Sequence, residues 1–157
     1  MKNDKKKAAL IDIDGTLVTL TDFDYDVFKT NDQQVIDDYL KFWDKETLNA
    51  KALTGGVAVL MTLKALGYEL VFVTARGQGC RKYTEKKLRE IGVWDMVDSM
   101  WHRPKRYEGV KSYIYKEAMI KSLSKKYNFV IAMDDENANL EMMRGFGMKT
   151  IDAKTWW

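Results

Sequence analysis

One cysteine, one histidine and one proline occur in 157 residues. The lone Cys80 excludes an intrachain disulfide and a cysteine-based zinc cage, and it fits a reducing compartment. The lone His102 excludes a histidine-rich metal centre. A single proline beside ten glycines leaves little material for linkers. No apolar run approaches the ~20 residues needed to cross a bilayer. Lys2, Lys5, Lys6 and Lys7 precede an apolar stretch that Asp12 and Asp14 interrupt at once, so this segment does not read as a signal peptide. The expectation is a soluble cytoplasmic chain forming one domain over residues 1–157.

Hydrophobic residues make up 46% and charged residues 31%, a balance that argues against disorder. The net charge of +3 hides an uneven distribution. Acids dominate between Thr21 and Glu46, with Asp22, Asp24, Asp26, Asp32, Asp37, Asp38, Asp44 and Glu46 against Lys29, Lys41 and Lys45. Between Arg76 and Lys126 lysines and arginines prevail instead, which points to an anionic partner or to solvated helix faces.

Five apolar runs read as strands: Ala8–Ile13, Glu69–Thr74, Ser99–His102, Phe129–Met133 and Lys149–Asp152. The first, second and fourth are nearly continuous, as in strands covered on both faces of a parallel sheet. Between them Val57–Leu66, Arg81–Ile91, Val110–Tyr127 and Asn137–Arg144 read as helices, with Gly67, Gly92 and Gly145 as stops. In Arg81–Ile91 the inward residues are Tyr83, Leu88 and Ile91, and in Val110–Tyr127 they are Ile114, Met119, Ile120 and Leu123. This alternation predicts an α/β, Rossmann-like, doubly wound parallel sheet. The segment 18–54 completes no strand–helix unit and reads as a small helical cap inserted after the first strand. Its helix, Asn31–Lys45, carries Val35, Ile36, Tyr39, Leu40, Phe42 and Trp43 on one side, with Asn31 or Asp32 as cap.

The first strand runs into Asp12-Ile13-Asp14-Gly15-Thr16-Leu17. Two acids two residues apart on a strand point to one side, and burying the pair uncompensated is costly. At the C-terminal edge of a central strand, the pair sits where open α/β sheets bind ligands. Gly15, followed by Thr16, permits a sharp turn and close approach of a ligand. The fourth strand also ends in two acids, Asp134-Asp135. Four carboxylates at one sheet edge form an all-oxygen set suited to Mg²⁺. The second strand ends Thr74-Ala75-Arg76, a hydroxyl and a planar guanidinium suited to phosphate oxygens.

The series DxDGT, a strand ending in Thr, a lysine, and a strand ending in Asp-Asp resembles the motif set of the haloacid dehalogenase (HAD) superfamily of phosphotransferases, from about Ala8 to Asp152. Within it the chain looks most like the 3′-phosphatase half of bacteriophage polynucleotide kinase–phosphatases. That likeness is carried by Leu70–Arg76, Arg81-Lys82-Tyr83, Tyr113–Glu117 and Ile131–Asp135. The resemblance implies that Asp12 is the nucleophile that takes up the phosphoryl group. It implies that Asp14 protonates the departing alcohol and then activates water, so Asp14 must hold a proton near neutral pH while Asp12 stays ionised. Mg²⁺ is then expected on Asp12, the Asp14 carbonyl and one of Asp134 and Asp135, preferably Asp135. Thr74 and a lysine would hold the phosphoryl oxygens. Lys116 matches the family context, with Lys105, Lys111 and Lys121 as competitors.

Three departures bear on substrate. Ser112 stands where the phage enzymes carry an acid four residues before the lysine. The arginine that follows their first motif has no counterpart unless Lys29 substitutes. No G-x-x-x-x-G-K-[ST] occurs, and Gly55-Gly56 opens no phosphate loop, so ATP-dependent phosphorylation is not expected. A separate kinase or ligase would then be the partner enzyme.

A small lid leaves the site open to a polymer end. The basic stretch, interleaved with Tyr83, Trp94, Trp101, Tyr107, Tyr113 and Tyr115, suits a nucleic-acid backbone and its bases, with Arg76, Arg81, Arg103 and Arg106 as contacts. The reading is a Mg²⁺-dependent polynucleotide 3′-phosphatase of nucleic-acid repair. The alternative is a nucleotidase or small-molecule phosphatase with the same catalytic residues. A catalytically idle nucleic-acid-binding module is remote, because it would not need four acids at one edge.

Overall fold

The computed structural model describes residues 4–20 and 30–157, without the side chains of Leu40 and of residues 43–48. Five strands, β1 (Lys6–Ile11), β2 (Glu69–Gly77), β3 (Ser99–Arg103), β4 (Tyr127–Asp134) and β5 (Lys149–Asp152), form one sheet in the order β3-β2-β1-β4-β5. Every pairing is parallel. Five α-helices accompany them among the described residues: α1 (Gln33–Asn49), α2 (Thr54–Ala65), α3 (Arg81–Glu90), α4 (Ser112–Leu123) and α5 (Asn137–Gly145). The α/β doubly wound fold expected from the strand–helix alternation is the fold observed.

Strand side chains alternate between two cores, as the pleat requires. Ala9, Ile11, Leu70 and Phe72 pack with Leu60 and Leu63 of α2 and Leu88 of α3. Ala8, Leu10, Val71 and Val73 pack with Tyr115, Ile120 and Leu123 of α4 and Met143 of α5. Both faces are covered, which is why the strands read as unbroken apolar runs.

Several boundaries and faces differ from the sequence reading. β1 begins at Lys6 because Lys6 and Lys7 pair with Tyr127 and Asn128 through the backbone, which is indifferent to their charge. Tyr127 therefore opens β4 and does not belong to the preceding helix. The buried face of α4 consists of Tyr115, Lys116, Ile120 and Leu123, whereas Ile114 is exposed. α3 buries Thr84, Lys87 and Leu88. In α1, Val35 and Phe42 are exposed while Ile36 and Tyr39 are half-buried; the Leu40 and Trp43 side chains lie outside the described residues. Asp32 caps α1, its Oδ1 accepting from the Gln34 amide at 2.9 Å.

The chain moves outward from β1 through β2 to β3, then crosses to β4 and β5 on the other side. β1 and β4 thus flank the switch point, where open parallel sheets form a crevice at their carboxyl ends. Asp12 follows β1 directly and Asp134 ends β4, so the topology delivers both acids to that crevice. Among the described residues no helix is long and apolar enough to cross a membrane.

Candidate active site

Asp12 extends the β1–β4 ladder, its amide donating to the Met133 carbonyl at 3.0 Å. Its side chain is nearly buried. Oδ1 accepts from Lys116 Nζ at 2.8 Å and Oδ2 from Thr16 Oγ1 at 3.1 Å. Lys116 also donates to Asp134 Oδ2 at 2.6 Å, so one ammonium bridges the acids of the two central strands. Lys105, Lys111 and Lys121 are exposed, and Lys121 pairs with Glu117.

The two acids at the end of β4 differ in their surroundings. Asp134 is fully buried and its oxygens are taken up by the protein. Besides Lys116, it accepts from the Glu136 amide and from Asn139 Nδ2, each at 3.0 Å. Asp135 is only half-buried. Carboxylate oxygens of Asp12, Asp134 and Asp135 lie within 4.8 Å of one another. Gly15 turns the chain with φ +73°, and a Cβ added there would stand 2.5 Å from Asp135 Oδ2. Both the left-handed backbone and the space for Asp135 therefore require glycine.

Asp14 faces a different partner. Arg76 grips it with two bonds, Nε to Oδ2 at 2.7 Å and Nη2 to Oδ1 at 2.6 Å. Arg76 is itself 2% exposed, and its Nη1 donates to Thr84 Oγ1 at 3.2 Å. The register between β2 and β3 shifts between Val73 and Gly77, which frees Thr74–Arg76 from the ladder and lets Arg76 turn to the β1 side. Thr74 is buried beside it, its Oγ1 accepting from the Arg76 amide at 3.1 Å. Thr84 continues the network to His102 Nε2 at 2.9 Å.

The profile of the HAD superfamily, subfamily IIIB (acid phosphatase), matches residues 1–155. The chain belongs to this family. No curated protein matches it. Among solved structures, a chain in a Pnkp1/Rnl/Hen1 complex is similar at 20% identity and TM-score 0.69, over 96% of this chain and 47% of that one. The class C acid phosphatase from Bacillus anthracis is similar at 17% identity and TM-score 0.63, over 96% and 67%. A haloacid dehalogenase-like hydrolase from Streptococcus pneumoniae follows at 14% identity and TM-score 0.64, over 94% and 84%. The chain thus spans less than half the length of the Pnkp1-complex chain. At these identities the likeness establishes the HAD fold.

The electrostatics of this HAD site favour an added cation. Burial, then the Asp134 carboxylate, push the Asp12 carboxyl well above its ordinary range against the pull of Lys116. Burial likewise raises Asp135. Lys116 is held in its charged form by Asp12 and Asp134 despite its burial. Three carboxylates around one ammonium leave an excess of two negative charges, which one divalent cation would balance. The donors are hard oxygens, the set that Mg²⁺ takes. Of the two acids, Asp135 is the more exposed.

The four arginines singled out in the sequence fall into two classes. Arg76 and Arg103 are buried, and Arg103 donates to the Val110 carbonyl beneath the Tyr115 ring. Arg81 and Arg106 are exposed; Arg81 donates to the Met100 carbonyl and Arg106 lies over the Tyr107 ring. Trp101 is 41% exposed on the edge strand β3 and is not a core residue, while Trp94 is half-buried under Arg89. Lys29 lies outside the described residues. Cys80 is buried, and burial pushes its thiol up to about 11, so it offers no nucleophile.

Sequence reasoning missed Asn139 and Thr84, and it took Ser112 only as a departure from the family pattern. Asn139 holds Asp134 and also donates to Ser112 Oγ at 3.2 Å, so Ser112, the residue standing in for an acid, joins the second layer of the site. The signal was there: Asn139 follows the Asp-Asp pair within the first turn of α5. Trp156 and Trp157, about which the sequence pattern says nothing, donate to the carbonyls of Thr16 and Gly15.

Proposed function

We propose that the protein is a Mg²⁺-dependent phosphomonoesterase working through an aspartyl-phosphate on Asp12, and that its substrates are 3′-phosphorylated polynucleotide ends. The observation that carries the reading is the Lys116 ammonium shared between Asp12 and Asp134 at the switch point, with the half-buried Asp135 beside them. Asp12 is positioned to attack phosphorus, with Thr16 and Lys116 orienting its two oxygens. Lys116 and Thr74 would hold the phosphoryl oxygens as charge develops on them. A bound Mg²⁺, held by Asp12, the Asp14 carbonyl and Asp135, would neutralise phosphoryl charge.

Asp14 is the acid and base of the cycle. In the Arg76 fork it only accepts, which suits activation of water in the second half-reaction. Protonating the leaving alcohol requires Asp14 to carry a proton, and Arg76 would then turn from Asp14 to the entering phosphoryl group. This assigns Arg76 a substrate-binding role that it takes up only when substrate arrives.

The segment of about 18–54 serves as a small lid. A cavity of about 330 Å³ between the start of α1 and the turn after β2, lined by Asn31, Gln33, Ile36, Gly77, Gln78 and Arg103, would take the leaving group. Support for a polynucleotide comes from the exposed Arg81, Arg106 and Trp101 and from the likeness to a chain of the Pnkp1/Rnl/Hen1 complex. A separate kinase or ligase is the partner this implies. The subfamily's acid phosphatases support a second reading, a small phosphomonoesterase or nucleotidase.

Phosphate release is measured from a 3′-phosphorylated oligonucleotide beside 3′- and 5′-mononucleotides, in Mg²⁺ and in EDTA, with Asp12→Asn as control. Faster turnover of the oligonucleotide, suppressed by salt and lost in EDTA and in the variant, is expected. Faster turnover of a mononucleotide would move the assignment to the second reading.

A further inference from the structure

The turn Ala153–Trp156 after β5, with Trp157, touches both loops that carry the acids. Lys154 Nζ donates to the Asp135 carbonyl at 2.6 Å and to Asn137 Oδ1 at 3.1 Å. Trp156 Nε1 donates to the Thr16 carbonyl at 3.1 Å, and Trp157 Nε1 to the Gly15 carbonyl at 2.8 Å. The Asp12–Val18 turn uses its own amides internally: Gly15 donates to the Val18 carbonyl, and Thr16 and Leu17 to that of Ile13. The Gly15 and Thr16 carbonyls then need donors from outside the turn, since Gly15 and Thr16 are buried.

Two glycines make the seat for this contact. A Cβ at Gly55 would lie 2.6 Å from Trp156 Cβ, and one at Gly56 only 2.0 Å from the Thr16 carbonyl oxygen. Both occupy the first turn of α2, where glycine weakens a helix and where neither has a positive φ. Close approach of the Asp12–Val18 turn and Trp156 explains both.

We propose that Lys154, Trp156 and Trp157 form a clamp that sets the Asp12–Asp14 turn against the Asp134–Asp135 turn, and that they act as positioning residues for phosphoryl transfer. The proposal rests on the reading of the site given above. β1 and β4 are hydrogen-bonded only as far as Asp12 and Met133, so beyond that point other contacts must hold Asp14 and Asp135 in relation. Each indole offers one N–H on a stiff ring with two rotatable bonds, a donor that fixes a carbonyl with little freedom. Phosphoryl transfer depends on the mutual placement of these acids, and small misplacements are costly in rate.

The test uses Trp157→Phe and Trp156→Phe, which keep an aromatic ring and remove the donor, in the full chain. Trp157 is 59% exposed, so its variant should fold. Hydrogen exchange without substrate reads the turn directly, and kcat and KM are measured with p-nitrophenyl phosphate. Faster exchange in peptides covering 12–18, unchanged exchange in β2, and a roughly tenfold fall in kcat at constant KM are expected. Unchanged exchange at 12–18 overturns the clamp. Faster exchange without a fall in kcat overturns the positioning role, since a merely structural contact would behave that way. Absence of phosphatase activity in the unmodified protein would sink the reading of the site, while the exchange result would still decide the clamp.

Discussion

His102 makes the stability of this protein sensitive to mild acid by an amount that can be worked out. It is 6% exposed at the end of β3, with Nε2 against Thr84 Oγ1 and Nδ1 without a hydrogen-bond partner among the described residues. Burial, then the charges of Arg81 and Arg76, lower its imidazole from 6.5 to about 4. Between those values the unfolded chain binds a proton that the native state refuses, so stability falls as pH drops through 6.5 toward 4. Above pH 7 both states are neutral at this position and it adds no pH dependence. The gap between 6.5 and about 4 corresponds to roughly 3 kcal/mol in full, of which about 2 kcal/mol is lost by pH 5. Urea unfolding of the unmodified protein and of His102→Gln at pH 8 and pH 5 isolates this contribution. The unmodified protein should lose about 2 kcal/mol more than the variant over that interval. Equal losses in the two proteins would refute the argument, because they would mean that the buried imidazole accepts its proton as readily as an exposed one.

The two acids of β4 should separate on substitution. Asp134→Asn leaves Lys116 paired with Asp12 alone and weakens its second bond, which should cost about 1–3 kcal/mol in chemical denaturation, whereas Asp135→Asn should fold normally and lose Mg²⁺ binding by calorimetry together with activity. Gly15→Ala forces a left-handed backbone at a cost of about 1–2 kcal/mol and drives a methyl group into Asp135; kcat on p-nitrophenyl phosphate should fall by more than tenfold.

Much of the fold was legible because both sheet faces are covered. Continuous runs such as Leu70–Val73 have no polar face to present, and glycine stops punctuate the helices between them. The acids were legible for a related reason: Asp12 and Asp134 each break an apolar strand at its carboxyl end. What escaped the sequence depends on contacts between distant residues. Nothing local to Arg76 announces that its fork closes on Asp14, 62 positions away. Gly55-Gly56 opens no phosphate loop, and the close approach of Trp156 and of the Thr16 carbonyl, both distant in sequence, explains the pair. The expected face of α4 was drawn from apolar residues alone, so it omitted Lys116, which is 2% exposed. A lysine can occupy a core position when two carboxylates meet it, and no hydrophobic periodicity carries that information.

The central claim is that Asp12 becomes phosphorylated during turnover. A 3′-phosphorylated oligonucleotide with a radiolabelled phosphoryl group, mixed with the protein in Mg²⁺ and quenched in acid within one turnover, tests it directly. Acid-stable label released by hydroxylamine and mapped to the peptide containing Asp12, absent from Asp12→Asn, is the predicted result. Phosphate release at an undiminished rate by Asp12→Asn, with no label on the protein, would contradict the account.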